Sequence, residues 1–155
     1  MSKSSASIPN RQQTVFAGTR RFRVLSEGLD YESTAVLGLF EESVTAFQCH
    51  FIKQPEDADG EVPAILIRSE GKLETGSFPL VVGPNAPAGS YFVLWGKGVY
   101  PNSVKGEYGE GMIEISEVHL GEYERTVKGS ATFTYPGPDG RSITVQIPHF
   151  AISAT

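Results

Sequence analysis

Trp95, Tyr100 and Tyr108 are the residues of this chain best suited to contact a ligand. Each carries a flat apolar ring with a polar hydrogen at its edge, so a group of them can stack on a sugar or line a pocket. They follow an aromatic run that begins at Tyr91 and Phe92, and they lie at strand ends and in glycine-rich turns. Within the run, Tyr91, Val93 and Trp95 alternate with Phe92 and Leu94. A strand apolar on both faces is the pattern of a sheet interior. Two readings follow: a buried core strand, and a small-ligand or carbohydrate surface at Trp95, Tyr100 and Tyr108.

Catalytic chemistry finds less support. Glu117 and His119 stand two residues apart, so on a strand they share a face within reach of general acid–base work. The same spacing equally makes an exposed ion pair. His50, His119 and His149 are far apart and form no metal-ligand spacing. The acidic loop 56–61 offers oxygens to a hard cation, but Gly60 follows directly on the second aspartate and no bidentate glutamate comes at the required distance. It reads as a solvated turn. Cys49, the single cysteine, makes no internal disulfide and alternates with Phe47 and Phe51 as a small core residue. Gly106, Gly109 and Gly111 flank strands and open no helix, so no phosphate loop is expected, and no serine has a nucleophile-elbow context. The expectation is a non-enzymatic chain with no catalytic residue, metal or cofactor.

Charge is the one global signal. Residues 1–26 hold Lys3, Arg11, Arg20, Arg21 and Arg23 and no acid, while the rest carries 8 basic and 18 acidic residues. A +5 head therefore precedes a −10 body within a net charge of −5. Such a body repels phosphates, which excludes nucleic acid as the expected partner. Residues 1–14 are polar and serine-rich, contain Pro9 and have no apolar leader core. No window approaches 18 uninterrupted apolar residues, so no membrane helix is expected. The cytoplasm is the expected default compartment, with export by a route that needs no cleaved signal as the alternative. Residues 1–18 read as an arm that docks, through Arg11, Arg20, Arg21 and Arg23, on a protein partner or a second subunit. The plainer alternative leaves Arg20, Arg21 and Arg23 decorating the first strand.

The elements that would position these residues are strands. From 124 to 135 polar Glu124, Thr126, Lys128, Ser130, Thr132 and Thr134 alternate with mostly apolar or small neighbours, the two-residue period of a half-buried strand. Pro136-Gly137-Pro138-Asp139-Gly140 breaks the run, and Ile143, Val145 and Ile147 resume it. A symmetric five-residue loop predicts Phe133 opposite Ile143 and Thr132 opposite Thr144, with Phe133, Ile143 and Val145 buried together. The phase then slips at Pro148 before Phe150 and Ile152, which predicts a bulge. Upstream, apolar runs recur about every ten residues at 14–16, 21–25, 34–40, 44–52, 64–68, 77–82, 90–95 and 105–120. A helical spacing of Val36, Leu37, Phe40, Val44 and Phe47 competes over 33–54, but β-branched and aromatic content favours strand.

Gly111, Ile113 and Ile115, then Val127, Gly129, Phe133 and Gly140, then Ile143, Val145, Phe150 and Ile152 form a pattern that resembles the end of several uncharacterised bacterial β-sandwich families, many of them lipoproteins. The resemblance covers about a quarter of the chain and rests on structural residues, so it implies a fold and no activity. This chain lacks the lipoprotein signal with which those families usually begin. At 155 residues one domain is expected, 19–155 beyond the arm, large enough to fold without disulfide or metal. The reading is an all-β antiparallel sandwich, with a closed barrel as the alternative. Its expected function is a binding or assembly module, with the small-ligand surface second.

Overall fold

The alternating C-terminal run folds as the backbone of one sheet. The computed structural model describes residues 4–6, 20–123 and 125–154, and these contain strands and no helix. In chain order the strands are β1 (Ser4–Ala6), β2 (Arg21–Ser26), β3 (Leu29–Ser33), β4 (Val36–Phe40), β5 (Thr45–His50) and β6 (Val62–Ser69). They continue with β7 (Gly76–Leu80), β8 (Phe92–Gly98), β9 (Val104–Tyr108), β10 (Glu110–Leu120), β11 (Arg125–Pro136) and β12 (Ser142–Ala154). Sheet A has the order β1-β9-β8-β6-β5-β4 and sheet B the order β3-β2-β12-β11-β10-β7. Every strand pair is antiparallel, and neither sheet closes on itself, so the sandwich and not the barrel is the architecture.

The two sheets meet at corners. Ser33 to Val36 carries the chain from β3 in sheet B to β4 in sheet A, and Gly109 carries it from β9 to β10. The run expected at 105–120, with a break of its own, is two strands in different sheets. Sheet B lies across the first half of β8: the Tyr31 ring of β3 is 6.5 Å from that of Trp95 in the middle of β8, and the Phe78 ring of β7 is 5.6 Å from that of Tyr91 just before it. Between the sheets Phe22, Phe47, Phe51, Phe133 and Phe150 are fully buried with Ile65, Ile67, Ile113 and Val145. Each such side chain contributes roughly 1.5–3 kcal/mol of transfer free energy.

Sheet A is buried on its outer face as well. Leu37, Leu39, Ala46, Ala64, Leu66, Phe92, Leu94 and Val104 form a second cluster there with Ala86, and Val81 packs against it. That double burial is why Val62–Ser69 and the 91–95 run are near-continuously apolar rather than alternating. Residues 33–54 are the strands β4 and β5.

The terminal hairpin departs from the expected register by two residues. Phe133 faces Val145, Thr134 faces Thr144 and Tyr135 faces Ile143. The turn is Gly137 to Gly140, closed by Gly140 N–H donating to Gly137 O at 3.1 Å, with Pro138 in its second position and Gly140 at φ +79°. Pro136 stays on the ladder opposite Ser142. A shift of two preserves the faces, so Phe133 and Val145 are buried and Thr132 and Thr144 exposed; Ile143, beside the turn, is half-buried. The expected bulge is present between Gly129/Ala131 and the 147–150 stretch. β3, on which no expectation was placed, is a polar hairpin partner of β2, and the expected run at 14–16 lies outside the described residues.

Candidate functional site

Strands β8 and β9 bring the chemistry together. Gly96 and Gly106 are directly opposed, and a Cβ on either would run into the backbone of the other strand, so only glycine permits this approach. One step on, Lys97 faces Lys105. Two like charges in that position repel unless countered, and the loop between β5 and β6 supplies the counter-charge. Lys97 Nζ lies 2.6 Å from Asp57 Oδ2 and 3.4 Å from Glu61 Oε1, while Lys105 Nζ lies 2.9 Å from Glu61 Oε2. Asp57 also accepts the backbone N–H of Asp59 at 2.9 Å and of Glu61 at 3.0 Å. The hydrogen bond from Lys97, then these backbone donors, hold the Asp57 carboxyl at about 2. Glu61 is depressed chiefly by Lys105. Asp57, Asp59 and Glu61 place ligand oxygens within 4.8 Å of one another, but Lys97 and Lys105 already pair with Asp57 and Glu61, two of the three. The cluster acts as a clasp holding this loop to the sheet.

Beside the clasp is an open cleft of about 380 Å³, lined among others by Pro55, Pro63, Trp95, Lys97, Lys105 and Glu107. Trp95 supplies part of its floor, yet the indole is packed on Phe51 at 6.1 Å and is only 7% exposed. Burial pushes the pKa of the Tyr135 phenol up. Tyr108 packs with the outer-face cluster, 5.8 Å from Phe92, and lines a separate cleft of about 510 Å³ with Glu107, Glu110 and Tyr135. Tyr100 sits in the loop after β8, 5.5 Å from the His50 ring. The fold thus distributes the three expected ligand residues over two faces and a loop, with Glu107 the lining residue shared by the two clefts.

Under that loop lies a buried polar pair. Gln48 Nε2 donates to the carbonyls of Pro101 at 3.2 Å and Asn102 at 2.9 Å. His50 is fully buried, and neither ring nitrogen has a hydrogen-bond partner among the described residues. Burial lowers its pKa to about 4, so the ring is neutral. Gln48 and His50 are polar at alternate positions of an apolar strand, the signal in the sequence that marks them. Between them Cys49 is buried in the main core, and burial pushes its thiol up, away from nucleophilic reactivity.

At the outer edge of β9 sits the start of the chain. Ser4, Ser5 and Ala6 pair with Gly106, Lys105 and Val104. Of the expected arm arginines, Arg21 is bound to Glu32 at 3.0 Å and Arg23 to Asp30 at 2.9 Å across the β2–β3 hairpin. Arg20 is half-buried at the head of β2, and Arg11 lies outside the described residues, as does the rest of the 1–18 arm apart from Ser4–Ala6. Glu117 and His119 are both exposed on β10, and Glu117 pairs with Lys128 at 3.1 Å. Among the described residues no helix is long and apolar enough to cross a membrane. Compared with protein-family models, curated proteins and solved structures, this chain matches none.

Proposed function

We propose that this chain is a non-enzymatic binding and assembly module that works through the β9 edge of sheet A. The observation that carries the reading is the seating of Ser4–Ala6, from the far N-terminus, on an edge that is otherwise free. An exposed edge is a template for another strand, and proteins block those they do not use. Edge β4 is fully buried and the Phe40 carbonyl at its end is taken by Arg125. Edge β7 contains Pro79, which has no N–H to donate. Edge β3 presents Asp30 and Glu32, both ion-paired to β2. Edge β9 carries one ion pair, Lys105 to Glu61, and β1 covers three of its residues, so Glu107 and Tyr108 extend past the strand that caps it. The +5 head and −10 body add steering that salt weakens.

The test is light scattering on the full chain and on a chain lacking residues 1–14, at low and high salt. Association state or partner capture that changes with the deletion supports the reading; identical behaviour of both chains at low salt removes it. The 380 Å³ cleft at Trp95 favours a second reading, a small-ligand or carbohydrate site. Trp95 is the only tryptophan, so its emission reports directly on that cleft. A panel of oligosaccharides that leaves the emission unchanged at millimolar concentration sets this second reading aside.

A further inference from the structure

We infer that the partner of the β9 edge is a second copy of this chain, whose own Ser4–Ala6 strand takes the place of β1 in a reciprocal exchange. The inference rests on the assembly reading above and names its occupant. The sequence that fits this edge is already on it: Ser4, Ser5 and Ala6 sit opposite Gly106, Lys105 and Val104. A second copy offers the identical segment, and its backbone hydrogen bonds are the same whether the strand comes from within the chain or from outside.

Chain length permits the exchange. Thirteen residues separate Ala6 from Arg20, where β2 is about to begin, whereas hairpin loops run to about 2–5 residues. Fully extended, that connection reaches up to about 45 Å. A span of that reach lets β1 lie on its own sheet or on a neighbour's, and the effective concentration of a linked strand, on the order of millimolar, favours the closed monomer. β1 has three residue pairs with β9 and is the end strand of its sheet, so its release leaves the other strand pairings of sheet A in place. In a two-fold exchange each copy gives one strand and receives one. The second pairing is then intramolecular, which offsets the tether's advantage. In the reciprocal pair every β1 strand and every β9 edge is occupied, so the two-fold exchange is complete at two copies.

The register supplies the experiment. Ser5 and Lys105 are directly opposed, and opposed positions on neighbouring strands lie close enough for a disulfide. In a Cys49→Ser background, chains carrying Ser5→Cys and chains carrying Lys105→Cys are mixed, unfolded, refolded together at high concentration and oxidised. A disulfide-linked heterodimer of the two chains is the expected result. Oxidation of the Ser5→Cys/Lys105→Cys double variant wholly to a cross-linked monomer, with no heterodimer from the mixture, overturns the exchange. Lys105→Cys also removes one arm of the clasp on Glu61, so a second measurement avoids it. Unsubstituted chain and isotopically heavy chain are mixed and examined by native mass spectrometry. Mixed dimers that disappear when residues 1–6 are deleted support the exchange, and monomer alone at 100 µM, or dimers indifferent to the deletion, refute it. If light scattering shows deletion-sensitive partner capture while both exchange experiments fail, the assembly reading survives and only the second copy is wrong.

Discussion

His50 is the residue whose environment most departs from what its type prefers. Its folded pKa of about 4 lies below the ordinary histidine value of 6.5 because burial disfavours the imidazolium. The unfolded chain therefore takes up a proton below about pH 6.5 that the folded chain refuses. Stability is full above that pH and falls as the pH drops toward about 4, where the loss levels off. The gap corresponds to roughly 3 kcal/mol. Urea midpoints measured every half unit from pH 7 to 4 should show this slope, and His50→Leu should flatten it. A variant with an unaltered slope would place the titration elsewhere. Phe133, fully buried between the sheets, should cost on the order of 3–5 kcal/mol when cut to alanine; chemical denaturation reads it directly. The Asp57–Glu61 carboxylates are neutralised by Lys97 and Lys105. A chelator should accordingly leave the melting temperature unchanged, since only a ligand bound to the folded state can raise it.

At the scale of elements, turn chemistry decided what side-chain alternation left open. The period of two placed Phe133 and Val145 on the core face, and they are there. Which residue opposed which depended on where the turn closed, and the left-handed Gly140 moved its centre by one residue. The β2–β3 hairpin turns on Glu27 and Gly28, both at positive φ, +39° and +84°. Two positive φ values in a two-residue loop suit asparagine-glycine, and glutamate is strained there. Glu27→Asn should therefore raise stability by about 0.5–1 kcal/mol, visible as a higher denaturation midpoint. A lower midpoint would mean that the 3.7 Å ion pair of Glu27 with Arg141 outweighs the backbone term. The turn at Ser26-Glu27-Gly28 is legible in the sequence, but charged Asp30 and Glu32 interrupt any apolar run after it, which is why β3 could not be read from the chain.

At the scale of the molecule, the fold closes through its two ends. β2 pairs with β12 across more than a hundred residues, and β12 in turn is the partner of β11. Removing residues 142–155 therefore strips a central strand from sheet B and uncovers Phe22 and Phe47, which pack on Phe150. The truncated chain should lose its cooperative thermal transition in calorimetry; a sharp transition near the original temperature would show that sheet A folds alone. The charge division belongs to this scale too. Part of the basic head is spent at home, on Glu32 and Asp30, so the steering charge beyond β2 is smaller than the sequence total.

The sequence by itself determined the class of fold, the buried face of β11 and β12 and the slip of phase at Pro148, and it favoured strand over helix in 33–54. All follow from local physics: a period of two, β-branched and aromatic content, and prolines and glycines that stop a strand. Only the tertiary structure decided that Lys97 and Lys105 would be clasped by Asp57 and Glu61. It also decided that Trp95, Tyr100 and Tyr108 would part company, and that Ser4–Ala6 would lie on β9. These are pairings between residues tens of positions apart, made when two sheets cross and their corners are set. No periodicity along the chain encodes which strand becomes the neighbour of which, because that choice is settled by how whole faces bury one another.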